Sequence, residues 1–259
     1  MDLAASSICW HRDTRAGMLR KASESGFRFV EILTFPPELN VLHGNLWLMK
    51  PNELRAELTE YGLEPAALHL GAIQTSTEQR RQSLTDYAKR AIDFAAELGC
   101  ALIVEGGPDR ATEPFQPFLR SLEHLARFLE GYPVRIGLEN HYNNWIQYTQ
   151  DYEHIFDRID SPKIGITLDS GHFTSAGVDP ALFAGKFADK VIHVHVKDHI
   201  GIHSVALGSG ETNNKGMVRA LKQAGYDGFL SQELEVADAD QADHYAREGL
   251  KYLRMLADL

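Results

Sequence analysis

A chain of 259 residues exceeds the usual single-domain length, yet α/β barrels commonly use roughly 250 residues as one unit. Its 44% apolar content can fill a core, and the longest apolar run falls far short of the ~18 to 20 residues of a membrane span. A formal net charge of -10 weighs against binding to a phosphate backbone, which needs clustered Lys and Arg. Cys9 and Cys100 are too few for a disulfide framework and read as buried free thiols. The stretch Met1 to Ala5 shows no basic region followed by an apolar segment, so a cytoplasmic location is expected.

In chain order, short β-rich runs alternate with amphipathic stretches about eight times. Leu3 to Cys9 reads as a first strand ending in Trp10 and His11, and Thr14 to Ser25 as a helix closed by Gly26. Phe27 to Leu33 is a second strand. The segment 34–50, with Phe35, His43 and Trp47, is long for a βα loop and is expected either to cover the strand ends as a partial lid or to pack as a surface loop. Pro51 opens a helix to Tyr61, Leu63 to Leu70 is the third strand, and Glu78 to Leu98 has a helical apolar period closed by Gly99.

Cys100 to Val104 is the fourth strand, followed by a helix over Phe115 to Leu129. Val134 to Leu138 leads into Glu139, a helix covers Asp151 to Ile159, and Ile164 to Leu168 leads into Asp169-Ser170-Gly171-His172. A short helix over Pro180 to Ala188 precedes the seventh strand, Val191 to Val196. After the glycine-rich turn Leu207 to Gly210 come a helix over Thr212 to Ala224, an eighth strand ending at Glu233, and a final helix over Ala239 to Leu256. Gly26, Gly62, Gly99, Gly131 and Gly225 fall between a helix and the next strand, so the unit recurs every 27 to 37 residues or about that. The expectation is one α/β domain over 1–259, a (β/α)8 TIM barrel.

In such barrels the working groups stand at the C-terminal strand ends. They read here as Trp10, His11, Glu31, His69, Glu105, Glu139, His141, Asp169, His172, His195, Lys197 and Glu233. So many ionisable groups must be paired, hydrated or metal-bound, and two Glu, one Asp and one His make an oxygen-rich site for a divalent cation. Asp169 and His172 also fit a helix-capping Asp and a packed His. His193 is assigned to the opposite strand face from His195 and to a structural role. Glu31 and Glu105 fit substrate hydroxyls or pairing with a neighbouring Lys or Arg. Trp10, Trp47, Tyr142 and Trp145 suit the apolar face of a substrate ring or ordinary packing. Leu207 to Gly210 suits a phosphate cradle or a helix entry.

Over nearly its whole length the chain resembles the sugar isomerase and epimerase superfamily with the xylose-isomerase-like barrel, which includes ketose 3-epimerases, inosose dehydratases and, more distantly, endonuclease IV. The resemblance rests on Leu138-Glu139-Asn140, Leu168-Asp169-Ser170-Gly171-His172, His193-Val194-His195-Val196-Lys197-Asp198, Leu207-Gly208-Ser209-Gly210 and Gln232-Glu233. It implies one divalent metal ion (Mn, Co, Mg or Zn) on Glu139, Asp169, His195 and Glu233, with Glu139 and Glu233 moving a proton next to a carbonyl through an enediolate. The same comparison makes His172 a substrate contact, with Lys197, His69, Glu105, Trp10 and Trp145 as further substrate-binding candidates; Lys197 would neutralise an enediolate or pair with Asp169 or Glu233.

Ketose 3-epimerases carry a Glu and an Arg where this chain has Trp145 and Gly201, so a free-ketose epimerase is not singled out. Lys197-Asp198 is similar to inosose dehydratases. The expected substrate is therefore a sugar, keto-sugar or cyclitol, altered by isomerisation or epimerisation, or alternatively by loss of water. An endonuclease-IV-like phosphodiesterase and a non-catalytic sugar-binding barrel are the remaining readings. No nucleic acid or membrane partner is expected, and the Trp47 and Trp145 loops are candidates for self-association into a homo-oligomer.

Overall fold

A computed structural model describes residues 1–40, 42–236 and 238–259. The strands are β1 (Asp2–Ser6), β2 (Phe29–Leu33), β3 (Glu64–Ala72), β4 (Leu102–Gly106), β5 (Arg135–Glu139), β6 (Ile164–Asp169), β7 (Val191–Val196), β8 (Asp198–Ile200), β9 (His203–Val205) and β10 (Phe229–Gln232). Eight of them pair in parallel in the closed order β1-β10-β7-β6-β5-β4-β3-β2, while β8 and β9 form a separate antiparallel hairpin. Around the barrel run α1 (Arg15–Glu24), α2 (Pro51–Glu60), α3 (Glu78–Leu98), α4 (Phe115–Phe128), α5 (Thr149–Arg158), α6 (Ser170–Ser175), α7 (Pro180–Phe187), α8 (Asn214–Gln223) and α9 (Ala242–Ala257). This is the expected (β/α)8 TIM barrel.

Local chemistry sets the helix limits. Thr14 and Thr77 accept backbone N–H bonds from Gly17 and Arg80, capping α1 and α3, and Pro51 and Pro180 occupy first turns where no N–H is needed. Gly99, at φ +84, closes α3 in a left-handed conformation that a side chain would strain. Helix α4 shows why the helices dock: Phe118, Leu119, Leu122, Leu125 and Ala126 make one buried stripe. Each large side chain fully removed from water contributes about 1.5–3 kcal/mol.

Alternation along the strands separates two interiors. Ile164, Ile166 and Leu168 of β6 and Val194 and Val196 of β7 join the core between strands and helices. Inside the barrel, Ala67, Leu102 and Val104 form a small apolar floor. Above it the inward positions turn polar, with Glu31, Thr167, Asp169, His193 and His195 all fully buried. The interior is crowded: a Cβ on Gly137 would lie 2.2 Å from Thr167 Oγ1, so β5 needs glycine there.

Three local details, one of them a departure from the sequence reading, have clear causes. The first strand stops at Ser6, whose hydroxyl caps a 3-10 turn over Ser7–Trp10. After β6, Asp169 Oδ1 accepts the His172 N–H at 2.6 Å and nucleates α6, in keeping with its reading as a helix-capping Asp. The turn Leu207 to Gly210 is no phosphate cradle. Asp198 Oδ2 accepts the N–H groups of Gly208 and Gly210 at 2.9 Å each, and Oδ1 that of Thr212 at 3.1 Å, so the chain itself fills the turn. In segment 34–50, where position 41 lies outside the described residues, His43 Nδ1 reaches Ser7 Oγ at 3.1 Å and Phe35 joins the rim of the barrel mouth.

Candidate metal centre and its cleft

Four strands bring one ligand atom each to a common point: Glu139 ends β5, Asp169 ends β6, His195 stands on β7 and Glu233 follows β10. These atoms all lie within 4.8 Å of one another, and all four residues are buried. His195 Nδ1 is the focus, 2.6 Å from Glu139 Oε1, 2.7 Å from Glu233 Oε2 and 3.9 Å from Asp169 Oδ2. One N–H cannot serve three carboxylates. Asp169 Oδ2 and Glu233 Oε2 accordingly have no aligned hydrogen-bond partner among the described residues, although both are buried. Orphaned carboxylate oxygens around an imidazole nitrogen are a donor set that fits a divalent cation.

The surrounding cations hold the site together electrostatically. Burial disfavours charge on His195, yet Glu233, Glu31 and Glu139 outweigh it and keep its pKa well above the usual value. Burial likewise raises Glu139 and Glu233, but His195 overrides it, helped by His69 at the first and by Lys197 at the second; Glu139 falls well below the usual range and Glu233 to about 2. For Asp169 the balance reverses: burial, then the carboxylates of Glu233 and Glu139, push it up to about 8 against the pull of Lys197.

Lys197 links this centre to the cleft. Its ammonium is 1% exposed and lies 3.3 Å from Glu233 Oε2, 3.4 Å from Asp169 Oδ2 and 2.6 Å from Glu235 Oε2. Burial opposes its charge, but those carboxylates hold its pKa well above normal. It also donates to His172 Nε2 at 3.1 Å. His172, whose pKa burial and then Lys197 push well down, is therefore neutral with its proton on Nδ1. That nitrogen has no hydrogen-bond partner among the described residues.

The cleft has a cavity volume of about 230 Å³, below the roughly 300–1,000 Å³ of drug-sized pockets and suited to a small substrate. Glu139, His172, Lys197, Glu233 and His69 line it, together with His141, Asn144, Glu235, Ile8 and Phe35. His69 stands between two carboxylates, with Nε2 3.3 Å from Glu139 Oε2 and Nδ1 3.4 Å from Glu31 Oε1. Burial opposes its charge, but these two neighbours raise its pKa to about 10.

Three substrate candidates stand elsewhere. Trp10, carried away by the 3-10 turn, is 2% exposed and its indole N–H donates to Asp243 at 2.8 Å. Trp145 stacks on Phe115 with ring centroids 5.1 Å apart, under the guanidinium of Arg110, and donates to the Glu113 carbonyl. Glu105 alternates with Val104 and Gly106, so it faces away from the cleft; burial pushes its pKa well up.

The assignment of His193 to the face opposite His195 is also corrected. Residues two apart share a strand face, and both Nε2 atoms reach Glu31 Oε2, at 2.6 and 2.9 Å. Sequence reasoning missed Glu235 and Asn144, although Glu235, two residues past Glu233, has the signal of strand alternation. Asn140, just past β5, donates to the Asp169 carbonyl and accepts the Asp169 N–H, both at 2.8 Å, which fixes the Asp169 end of β6.

An uncharacterized protein of Methanocaldococcus jannaschii is 30% identical over 190 residues, covering 67% of this chain and 64% of that protein; the chain thus spans just under two thirds of that relative's length. An inosose dehydratase of Lacticaseibacillus casei is 24% identical over 249 residues, covering 81% of this chain and 82% of that protein. Among solved structures, a D-allulose 3-epimerase from Methylomonas sp. superposes with a TM-score of 0.80 at 18% identity, covering 99% of this chain and 98% of that chain. The IOLI protein with a bound zinc atom gives a TM-score of 0.82 at 19% identity, again over 99% and 98%. At these identities the structural likeness is one of fold. No helix among the described residues is long and apolar enough to cross a membrane. The profile of the xylose isomerase-like TIM barrel family matches residues 19–256, and the chain belongs to that family.

Proposed function

We propose that the chain, acting as one unit over 1–259, is a divalent-metal-dependent isomerase or epimerase. Its substrate class is a sugar, keto-sugar or cyclitol with a hydroxyl next to a carbonyl. The observation that carries this reading is the placement of Glu139 and Glu233, on β5 and after β10, which line one cleft and converge on one imidazole nitrogen. A bound divalent ion supplies a Lewis acid that polarises the carbonyl and acidifies the neighbouring C–H. Glu139 and Glu233, approaching from different strands, then remove and return the proton on opposite faces of the substrate. His172 donates from Nδ1 to a substrate oxygen, and the Lys197 ammonium offsets the charge of the enediolate. The epimerase and dehydratase names among the similar proteins support a carbohydrate-type substrate.

Loss of water after the same proton abstraction is the second reading, favoured by the buried ammonium of Lys197 beside Glu233, which offers a proton donor for a departing hydroxide. An endonuclease-IV-like activity has less support, since Glu105, at the place of an expected histidine ligand, faces away from the cleft. The test is incubation of metal-loaded protein with ketoses and keto-inositols in deuterated water, followed by NMR. An epimerase returns an isomer bearing one deuterium at the inverted carbon; a dehydratase yields an unsaturated ketone. Absence of C–H exchange with every substrate, in protein holding one ion per chain, would sink both.

A further inference from the structure

Below the candidate metal donors lies a second layer that those roles do not use. Glu31, on β2, is fully buried, and three imidazoles surround its carboxylate. Oε2 is 2.6 Å from His193 Nε2 and 2.9 Å from His195 Nε2, and Oε1 is 3.4 Å from His69 Nδ1. A buried carboxylate is costly unless its oxygens are bonded. No lysine or arginine pairs with it among the described residues, so its partners are these histidines.

The geometry assigns the layer a purpose. His195 has two ring nitrogens, and only Nδ1 faces Glu139, Asp169 and Glu233. For Nδ1 to offer a lone pair, the ring proton must sit on Nε2, and the atom facing Nε2 is Glu31 Oε2. Resting on the metal-site reading above, we propose that Glu31 is a positioning residue: it holds His195 in the Nε2–H tautomer, fixes its ring plane and strengthens Nδ1 as a donor. Carboxylate, imidazole and metal in line are a recurrent arrangement whose outer member strongly affects affinity. His193 completes it by donating its Nε2 proton to the same oxygen, which keeps Oε2 aimed at His195. Replacement of Glu31 by Gln keeps size and one acceptor but removes the charge.

The experiment is calorimetric titration of manganese and zinc into chelator-stripped full chain, for the parent, Glu31→Gln and Glu139→Ala. The expected result is one ion per chain in the parent, one ion held about 10–100-fold more weakly in Glu31→Gln, and none in Glu139→Ala. Equal affinity of parent and Glu31→Gln overturns the inference alone. Two ions in the parent and one in Glu31→Gln also overturns it, because Glu31 would then be a ligand. A parent that binds no ion, or a Glu139→Ala variant that binds as well as the parent, removes the metal-site reading itself. A histidine nitrogen-15 spectrum of the zinc-loaded parent needs no variant to fold. It should show His195 protonated at Nε2, and protonation at Nδ1 overturns the proposal.

Discussion

Asp198 follows Lys197 directly, and its removal tests whether the turn over Leu207 to Gly210 is held by the chain itself. The carboxylate is 2% exposed and accepts three backbone N–H groups at 2.9, 2.9 and 3.1 Å. Bonds to a charged group contribute about 1.5–3 kcal/mol each, but Gly208 and Gly210 are exposed and regain water when the carboxylate goes. Asp198→Ala should therefore cost about 2–4 kcal/mol, well under the sum of three bonds. Asp198→Asn should cost about half as much, because one oxygen remains while its NH2 faces a donor.

The assay is urea unfolding, in which the midpoint should fall by about 1–2 M with an unchanged slope. Catalytic rate should fall as well. The Lys197 carbonyl accepts the Ser170 hydroxyl at 3.1 Å and the Asn214 amide at 2.8 Å, so a loosened turn frees only one side of the backbone that carries the ammonium. An Asp198→Ala variant within about 0.5 kcal/mol of the parent would refute the reasoning. So would stabilisation of the parent by millimolar phosphate, which requires the turn's N–H groups to be free for an anion.

Burial raises the thiols of Cys9 and Cys100 to about 12 and 11, so at pH 8 the thiolate fractions are about one in ten thousand and one in a thousand. Native protein should show no fast reaction with a thiol-specific disulfide reagent, and unfolded protein should titrate two thiols per chain; rapid native labelling would contradict the buried placement. Trp145→Ala should leave KM and kcat of the eventual reaction within a factor of three, because the indole packs on Phe115 away from the cleft. It should cost about 1–3 kcal/mol, less than a fully buried aromatic. A large rise in KM would return Trp145 to the substrate site.

How much of this was legible depended on the kind of signal. Helix limits marked by Thr14, Pro51 and Gly99 and the apolar period of α4 are local, and the closed barrel follows from their recurrence. The convergence of Glu139, Asp169, His195 and Glu233 was legible because they occupy equivalent strand ends. Trp10 and Trp145 were misplaced because each follows the point where a strand gives way to a turn, and the direction of a turn depends on partners such as Asp243 and Phe115 that lie 233 and 30 residues away. Glu105 and His193 were different: the alternation of their own strands placed both, against Val104 for one and with His195 for the other.

Strand β7 and its end show why that alternation carries chemistry as well as fold. His193, His195 and Lys197 are two residues apart, so they climb the barrel interior in steps of about 6.6 Å. His193 bonds the buried Glu31, His195 touches Glu31 below and the carboxylates above, and Lys197 touches those carboxylates and reaches Glu235 and His172 at the cleft. One strand thus spans the buried layer around Glu31, the converging carboxylates and the cleft. Val194 and Val196 alternate with them and lie in the outer core. A one-residue slip of β7 would turn three ionisable groups into apolar packing and put two valines where His195 and Lys197 stand. The register that buries the outer core is therefore the register that assembles the site, and neither can change without the other.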